Sequence, residues 1–134
     1  TTIERDKMLT HYNPTSIAPP ASNYSHGVCI NNATNWLHIS GQTAVMLNGE
    51  IASGIESQLT VCFSNILSVL SDANMTKENL LKLTIYLINP NDTAIYRTVR
   101  DRILEETKTA STLVIVSGLA HPDWQVEIEA IAAN

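Results

Sequence analysis

The chain has 134 residues, 44% of them hydrophobic and 16% charged, so it can bury the core of a single domain over residues 1–134. Its 8 Lys and Arg against 13 Asp and Glu give a net charge of −5, and the basic residues are scattered, which disfavours nucleic-acid binding. No apolar run approaches the roughly 20 residues of a membrane span, and Thr1–Asp6 is charged and lacks the apolar core of a signal peptide. We therefore expect a cytoplasmic protein with no membrane or nucleic-acid partner.

The cysteines and the common motifs assign no chemistry. Cys29 and Cys62 form no CxxC motif, and no His or Cys pair has metal-ligand spacing, so we expect two small core residues in a reducing compartment. No Walker loop, G-x-S-x-G elbow, H-E-x-x-H motif or dinucleotide fingerprint occurs.

The first third of the chain favours short strands. A weak strand pattern covers Ile3–Leu9, and the three prolines of Asn13–Asn23 predict an ordered loop. Gly27–Ile30 and Trp36–Ser40 follow as strand-like runs around an Asn-Asn turn signal, which predicts a hairpin.

A helix and then a strand are predicted next. Ser53 and Glu56 have the spacing of a capping box, and apolar residues then recur every three or four positions as far as Leu70. Strict alternation over Leu81–Leu87 is the period of a half-buried strand.

A second helix and two strands complete the pattern. Asp92 can cap a helix carrying apolar residues at spacing four, with Arg97 and Asp101 placed to pair on its charged face. Thr112–Val116 is an apolar run, and alternation resumes from Val126 after a loop.

The element order predicts an α+β fold in which two helices cover one face of a roughly six-stranded mixed sheet. The other face would then expose much apolar surface, which would aggregate unless another subunit covered it. We therefore expect an oligomer whose sheet faces pack together and whose sites lie between subunits.

Four short segments stand out for their order and spacing: Asn23–Gly27 (NYSHG), Ile39–Gln42 (ISGQ), Leu81–Leu87 (LKLTIYL) and Val126–Ala132 (VEIEAIA). Together they strongly resemble the reactive-intermediate deaminase family, called Rid or YjgF-like. The similarity runs from about Pro14 to the C-terminus, and the last segment is the most specific of the four.

This resemblance implies a chorismate-mutase-like subunit and a homotrimer whose sheets form a central barrel with three inter-subunit clefts that bind a small molecule. It also implies hydrolysis of reactive enamines and imines to 2-keto acids and ammonia, with no metal or organic cofactor. By position, Tyr24 would line the cleft, Ser40 and Gly41 would bind substrate, and Glu127 would position the attacking water. That last role is chemically sensible, because an imine carbon is already electrophilic and needs mainly a water held by a carboxylate.

The chain departs from the family at one important position. Deaminating members carry an arginine just before the Ser-Thr that opens the fifth strand, and its guanidinium holds the substrate carboxylate. Ala110 stands there, so we expect a substrate that differs from the usual 2-imino acids and lacks a carboxylate at this position. Arg97 and Lys108 are candidates to compensate, although each also fits a solvated surface residue.

Two other functions compete with an enamine or imine deaminase. The first is a non-catalytic trimer that binds a small molecule or a partner in the same clefts; loss of the arginine favours it, whereas the carboxylate of Glu127 favours catalysis. The second is an endoribonuclease, which the net charge makes physically poor. His26 and His121 could exchange protons near neutral pH, but a lone histidine is usually structural.

Overall fold

The computed structural model describes residues 9–134, and its elements are mostly those that the sequence predicts. The strands are β1 (Leu9–Tyr12), β2 (Gly27–Ile30), β3 (Trp36–Gln42), β4 (Leu80–Leu87), β5 (Ala110–Ile115) and β6 (Val126–Ala133), and the helices are α1 (Ile55–Asp72) and α2 (Thr93–Leu104). Short 3₁₀ turns at Lys77–Asn79 and Pro90–Asp92 precede β4 and α2. No helix in this described part of the chain is both long and apolar enough to cross a membrane.

The α+β class with two helices is confirmed, but the single six-stranded sheet is wrong. The strands form a four-stranded sheet in the order β3-β6-β4-β5, in which β4 and β5 are parallel, and a separate antiparallel pair of β1 and β2. The first strand begins at Leu9, so most of the predicted Ile3–Leu9 strand lies outside the described residues.

The predicted hairpin of β2 with β3 is also wrong, because each strand has another partner. β2 pairs with β1, and β3 pairs with β6 at the end of the chain. The backbone N–H groups of Thr34 and Asn35 both donate to the carbonyl of Asn134, at 2.8 and 3.2 Å, which directs the chain onto β6. Both cysteines were predicted to lie in the core. Cys62 is buried as expected, but Cys29 is exposed on the two-stranded sheet.

The core lies between the helices and one face of the larger sheet. The alternation along β4 is confirmed, since Leu83, Ile85 and Leu87 are fully buried while the residues between them are half-buried. The apolar stripe of α1 faces the same core, and so does one side of α2. Within residues 9–134, no helix packs on the opposite face of the sheet.

The helix starts differ from the predicted caps. Gly54, and not Ser53, occupies the N-cap of α1, and no side chain bonds to the first turn. Gly54 has φ 85°, a conformation that glycine adopts without strain, and its carbonyl accepts the N–H of Gln58. Asp92 stands at the N-cap of α2, also without a side-chain capping bond.

One buried polar side chain joins the first helix to the loop before β6. Gln58 is only 3% exposed, and its Nε2 donates to the carbonyls of Ala52 (3.1 Å) and Asp123 (2.9 Å). Its Oε1 accepts the N–H of Gln125 at 2.8 Å. The amide thus holds the loop immediately before the strand that carries Glu127.

Replacing this amide should destabilise the protein. Gln58→Leu has nearly the same size but leaves one buried and two half-buried backbone groups without these partners, so we expect the free energy of unfolding to fall by about 2–4 kcal/mol. Ser57→Ala, at the exposed neighbouring position, should change it by less than about 0.5 kcal/mol. Urea unfolding of both variants checks this, and equal midpoints would contradict a structural role for the amide.

Candidate functional site

The uncovered face of the four-stranded sheet carries most of the polar side chains of its two central strands. Tyr86 on β4 lies directly opposite Glu127 on β6, and Thr84 lies opposite Glu129. All four are half-buried, because the alternation that buries their neighbours turns them to this face. Lys82, near the start of β4, donates a hydrogen bond to the hydroxyl of Thr112 on β5 at 2.6 Å.

Glu127 lies against Gly41, at the irregular stretch where β3 loses register with β6 between Ile39 and Gln42. A Cβ atom on Gly41 would stand only 2.0 Å from Glu127 Oε2 and 2.8 Å from its Cδ. The carboxylate therefore occupies the space that any other side chain at position 41 would need. This contact joins two of the predicted site residues.

A cavity of about 260 Å³ opens beside this contact, and we call it the acidic cavity. Its lining residues are Gly41, Tyr86, Val116, Gly118, Leu119, Glu127 and Glu129. Two carboxylates and no basic side chain line it, so it favours neutral or cationic groups and water over anions.

The two carboxylates differ in their hydrogen bonds. Glu129 accepts a short bond from the hydroxyl of Tyr86, and this bond, together with desolvation and the charges of Glu129 and then Glu127, raises the pKa of Tyr86 above its usual value. The carboxylate of Glu127 accepts no hydrogen bond within residues 9–134, which leaves it available to water.

The charge of Glu127 also acts on the other side of the sheet. Burial, with an added contribution from Glu127, raises the pKa of the Cys62 thiol to about 12. Cys62 therefore stays protonated and is no nucleophile.

Ser40, beside Gly41, is exposed, and its backbone carbonyl accepts a hydrogen bond from the side-chain amide of Gln42 at 3.0 Å.

Tyr24 and Arg97 lie elsewhere, in a second cavity of about 270 Å³ between α2 and the β5 edge of the sheet, which we call the basic cavity. Its lining residues are Ala21, Ser22, Tyr24, Thr93, Tyr96, Arg97, Arg100, Ser111 and Leu113. Within one chain, Gly41 and Glu127 line the acidic cavity and Tyr24 and Arg97 line the basic cavity, while Ser40 is exposed and lines neither.

Arg100, which the sequence pattern did not single out, also lines the basic cavity. It is only 4% exposed, and its Nη2 stands 2.9 Å from the carboxylate of Asp101. Asp101 thus pairs with Arg100 and not with Arg97, as the spacing of four had suggested. One signal was available, since Arg100 falls on the stripe of buried residues with Tyr96 and Leu104.

The structure also separates Ala110 from the basic cavity. Ala110 pairs with Lys82 and lines a different depression beside Cys29 and Ile131, on the uncovered side of the sheet. Successive strand residues point to opposite faces, so the β5 residue that reaches the basic cavity is Ser111.

The remaining candidates make local contacts. Lys108 lies outside the basic cavity, and its backbone carbonyl accepts the Ser25 hydroxyl at 2.8 Å. His26 Nε2 lies 2.7 Å from the carbonyl of Ala18. His121 stacks on Trp124 and accepts a backbone N–H at 3.0 Å through Nδ1. These contacts fit structural roles for both histidines.

Comparison with known proteins assigns the family. The model of the family described as Endoribonuclease L-PSP matches residues 15–134. A RutC family protein of Pyrococcus horikoshii is 34% identical over 130 residues, which are 96% of this chain and 97% of that protein. The mitochondrial protein MMF1 of Saccharomyces cerevisiae is 26% identical over 90% of this chain and 83% of its own length.

Solved structures agree with the sequence comparison. YyfB of Yersinia pestis, a Rid family protein of unknown function, superposes with a TM-score of 0.86 at 28% identity, covering 95% of this chain and 99% of that one. Escherichia coli TdcF, solved with bound serine, gives 0.71 at 26% identity over 93% and 95% of the two chains. The chain therefore belongs to the Rid (YjgF-like) family.

The contact between Gly41 and Glu127 can be tested with two alanine substitutions. Gly41→Ala should force the Glu127 carboxylate aside and lower the free energy of unfolding by about 1–3 kcal/mol. Gly118→Ala, on the rim of the same cavity, meets nothing within 4 Å and should be neutral. Crystal structures and urea unfolding of both variants check this. An unmoved carboxylate in Gly41→Ala would contradict the close approach.

Proposed function

We propose that this protein hydrolyses a reactive enamine or imine to a carbonyl compound and ammonia, with Glu127 holding the attacking water. The observation that carries the proposal is the carboxylate of Glu127, held beside Gly41 without a hydrogen-bond donor and facing the acidic cavity. A carboxylate in such a position can orient a water and accept its proton.

The reaction needs little beyond this group. The water oxygen forms a bond to the electrophilic imine carbon while its proton passes to Glu127, and the C=N electron pair moves to nitrogen, which takes up a proton. The resulting carbinolamine returns to a carbonyl as the C–N bond breaks, and ammonia leaves with a second proton. Atoms and charge balance with water as the only co-reactant, so no metal or organic cofactor is required.

The separation of the two cavities supports a homotrimer. The acidic cavity opens on the uncovered face, whereas Ser111 and Leu113 place the basic cavity on the helix side of β5. On the uncovered face of the sheet, Trp36 exposes 57% of its surface and Val114 exposes 37%. We propose that three such faces pack into a central barrel, and that the acidic cavity of one subunit meets the basic cavity of the next in a shared cleft.

The relatives are consistent with a small polar ligand in such a cleft, since TdcF was solved with serine bound. The lack of an arginine at Ala110 favours an atypical substrate or, as the alternative, a trimer that binds a small molecule or partner without catalysis. A cytoplasmic location stays a prediction, because one relative is mitochondrial by name.

Ammonia release provides the decisive test. With freshly generated imines, one bearing a carboxylate and one without, Glu127→Gln should lower kcat/KM by about 10² or more. Glu50→Gln, in an exposed loop, should leave it unchanged. Equal rates for the native protein and Glu127→Gln would remove the proposed role. No release from either imine, with product analogues still bound, would favour the non-catalytic alternative.

The trimer predicts a native mass of about three times the 14.7 kDa of one chain. Trp36→Asp places a charge on the proposed interface and should shift the mass toward that of the monomer and abolish ammonia release. Leu47→Asp is the matched control, because Leu47 is fully exposed in the loop after β3. Light scattering after size exclusion measures both masses, and a native monomer at micromolar concentration would refute the assembly.

A further inference from the structure

The acidic cavity contains a tyrosine and a glutamate to which the hydrolysis proposed above gives no role. Tyr86 lies directly opposite Glu127 in the pairing of β4 with β6, and its hydroxyl reaches diagonally to Oε1 of Glu129, to which it donates a short hydrogen bond. All three residues line the cavity and are half-buried. The phenol oxygen therefore lies beside the carboxylate that is proposed to hold the water.

The bond to Glu129 decides what the phenol of Tyr86 can offer a ligand. This bond, together with desolvation and the charges of Glu129 and then Glu127, raises the pKa of Tyr86 above its usual value. The phenol is therefore neutral at physiological pH, and its one hydrogen is donated to Glu129. The lone pairs of the phenol oxygen accept no hydrogen bond within residues 9–134. In the cavity Tyr86 is thus an acceptor for an N–H group.

The surroundings of the phenol oxygen favour a positively charged donor. Glu127 and Glu129 face Tyr86 from β6, and its partner on β5 is the uncharged Val114. Lys82, four residues earlier on β4, is bound to the hydroxyl of Thr112. The rest of the cavity wall is uncharged and consists of Gly41, Val116, Gly118 and Leu119. Because two carboxylates and no cation line the cavity, a protonated nitrogen is favoured there over a neutral one.

We propose that this site binds the protonated imine, that an N–H group of the bound iminium cation donates to the Tyr86 oxygen, and that Glu129 balances the positive charge from behind the phenol. The inference rests on the proposed function and names the charge state of its substrate. Tyr86 touches the substrate nitrogen, whereas Glu129 acts through Tyr86 as a positioning residue. An iminium carbon is more electrophilic than the carbon of a neutral imine, so the pair favours attack by the water on Glu127.

Atoms and charge balance in this scheme. The water oxygen bonds to the iminium carbon while its proton passes to Glu127, and the C=N electron pair moves to nitrogen, which becomes a neutral amine. Glu127 then returns the proton to that nitrogen. The C–N bond breaks with its electron pair leaving on ammonia, and the hydroxyl proton of the carbinolamine passes to Glu127 as the carbonyl forms. Transfer of that proton to ammonia gives ammonium and restores the carboxylate.

Removal of either partner tests the pair. With an imine that lacks a carboxylate, Tyr86→Phe should lower kcat/KM about tenfold or more, because phenylalanine keeps the ring and loses the acceptor. Glu129→Gln should have a similar effect, and the double variant should be no slower than the slower single variant, since the two residues act as a unit. Tyr12→Phe, at an exposed tyrosine of β1, is the matched control and should keep the native rate. A native rate for Tyr86→Phe would overturn the inference.

The pH dependence of kcat separates this role from a merely structural one. Negative charge near the bound imine raises the pKa of its nitrogen, so kcat of the native protein should stay high as the pH rises and fall only when that pKa is passed. In Glu129→Gln this decline should begin about one pH unit lower. A lower kcat at every pH, with the decline unshifted, would contradict the inference.

Binding of a stable analogue tests the inference apart from catalysis. Acetamidinium is a planar cation with the N–H groups of an iminium, and acetamide is its neutral counterpart of the same shape. In NMR titrations of the full chain, the native protein should bind acetamidinium about tenfold more tightly than acetamide, and Glu129→Gln should lose most of that preference. Glu50→Gln makes the same change of charge in an exposed loop and should keep it. Equal binding of both probes to the native protein would refute the preference for a cation.

The outcomes separate this inference from the proposed function. Acetamidinium binding that depends on Glu129, without ammonia release from any imine, would refute the hydrolysis and support the cation site. Ammonia release that depends on Glu127 but is unchanged in Tyr86→Phe and Glu129→Gln would support the hydrolysis and refute this inference.

Discussion

Side chains alternate along β4 and β6, and the two helices of the described part of the chain both pack on the same one of the two resulting faces. Leu83, Ile85 and Ile128 fill the covered face, so Tyr86 and Glu127 must turn to the other. A shift of one residue in the pairing would bury the carboxylate and expose the leucines, which costs far more than any local contact could return. The hydrophobic core therefore fixes the position of Glu127 as firmly as its own contacts do.

The contact with Gly41 adds precision to this arrangement. The pairing of β3 with β6 brings residue 41 to Glu127, and the missing side chain of the glycine leaves room for the carboxylate. Because Glu127 lies on a central strand, its charge is also felt by Cys62 in the core below. A carboxylate held on a rigid strand needs little reorganisation when it binds a water or a polar substrate.

Local patterns in the sequence were enough for most of the elements but not for their pairing. The spacing of apolar residues identifies both helices, and the alternation over Leu81–Leu87 gives β4 its faces correctly. The prediction that β2 and β3 form a hairpin was wrong because the hydrogen bonds that fix the partner of β3 join Thr34 and Asn35 to Asn134, at the end of the chain. A turn signal in the sequence cannot reveal a competitor that distant.

The residues of the candidate site show the same limit. Gly41 and Glu127 come from motifs, and the structure brings them into contact. Arg97 is an exposed helical cation in the sequence pattern and in the structure, whereas Arg100, which the pattern did not single out, is buried by the packing of α2 against β5. The motif position of Ala110 also does not reveal which residue of β5 faces the basic cavity. The strand geometry shows that it is the neighbour, Ser111.

The placement of opposite charges on opposite sides of one sheet has a chemical consequence. If Arg100 and Glu127 shared a cavity within the chain, they would form an ion pair, and the carboxylate would be less available to water. The four-stranded sheet keeps them apart, so the carboxylate of Glu127 accepts no hydrogen bond within residues 9–134 and Arg100 pairs with Asp101 instead.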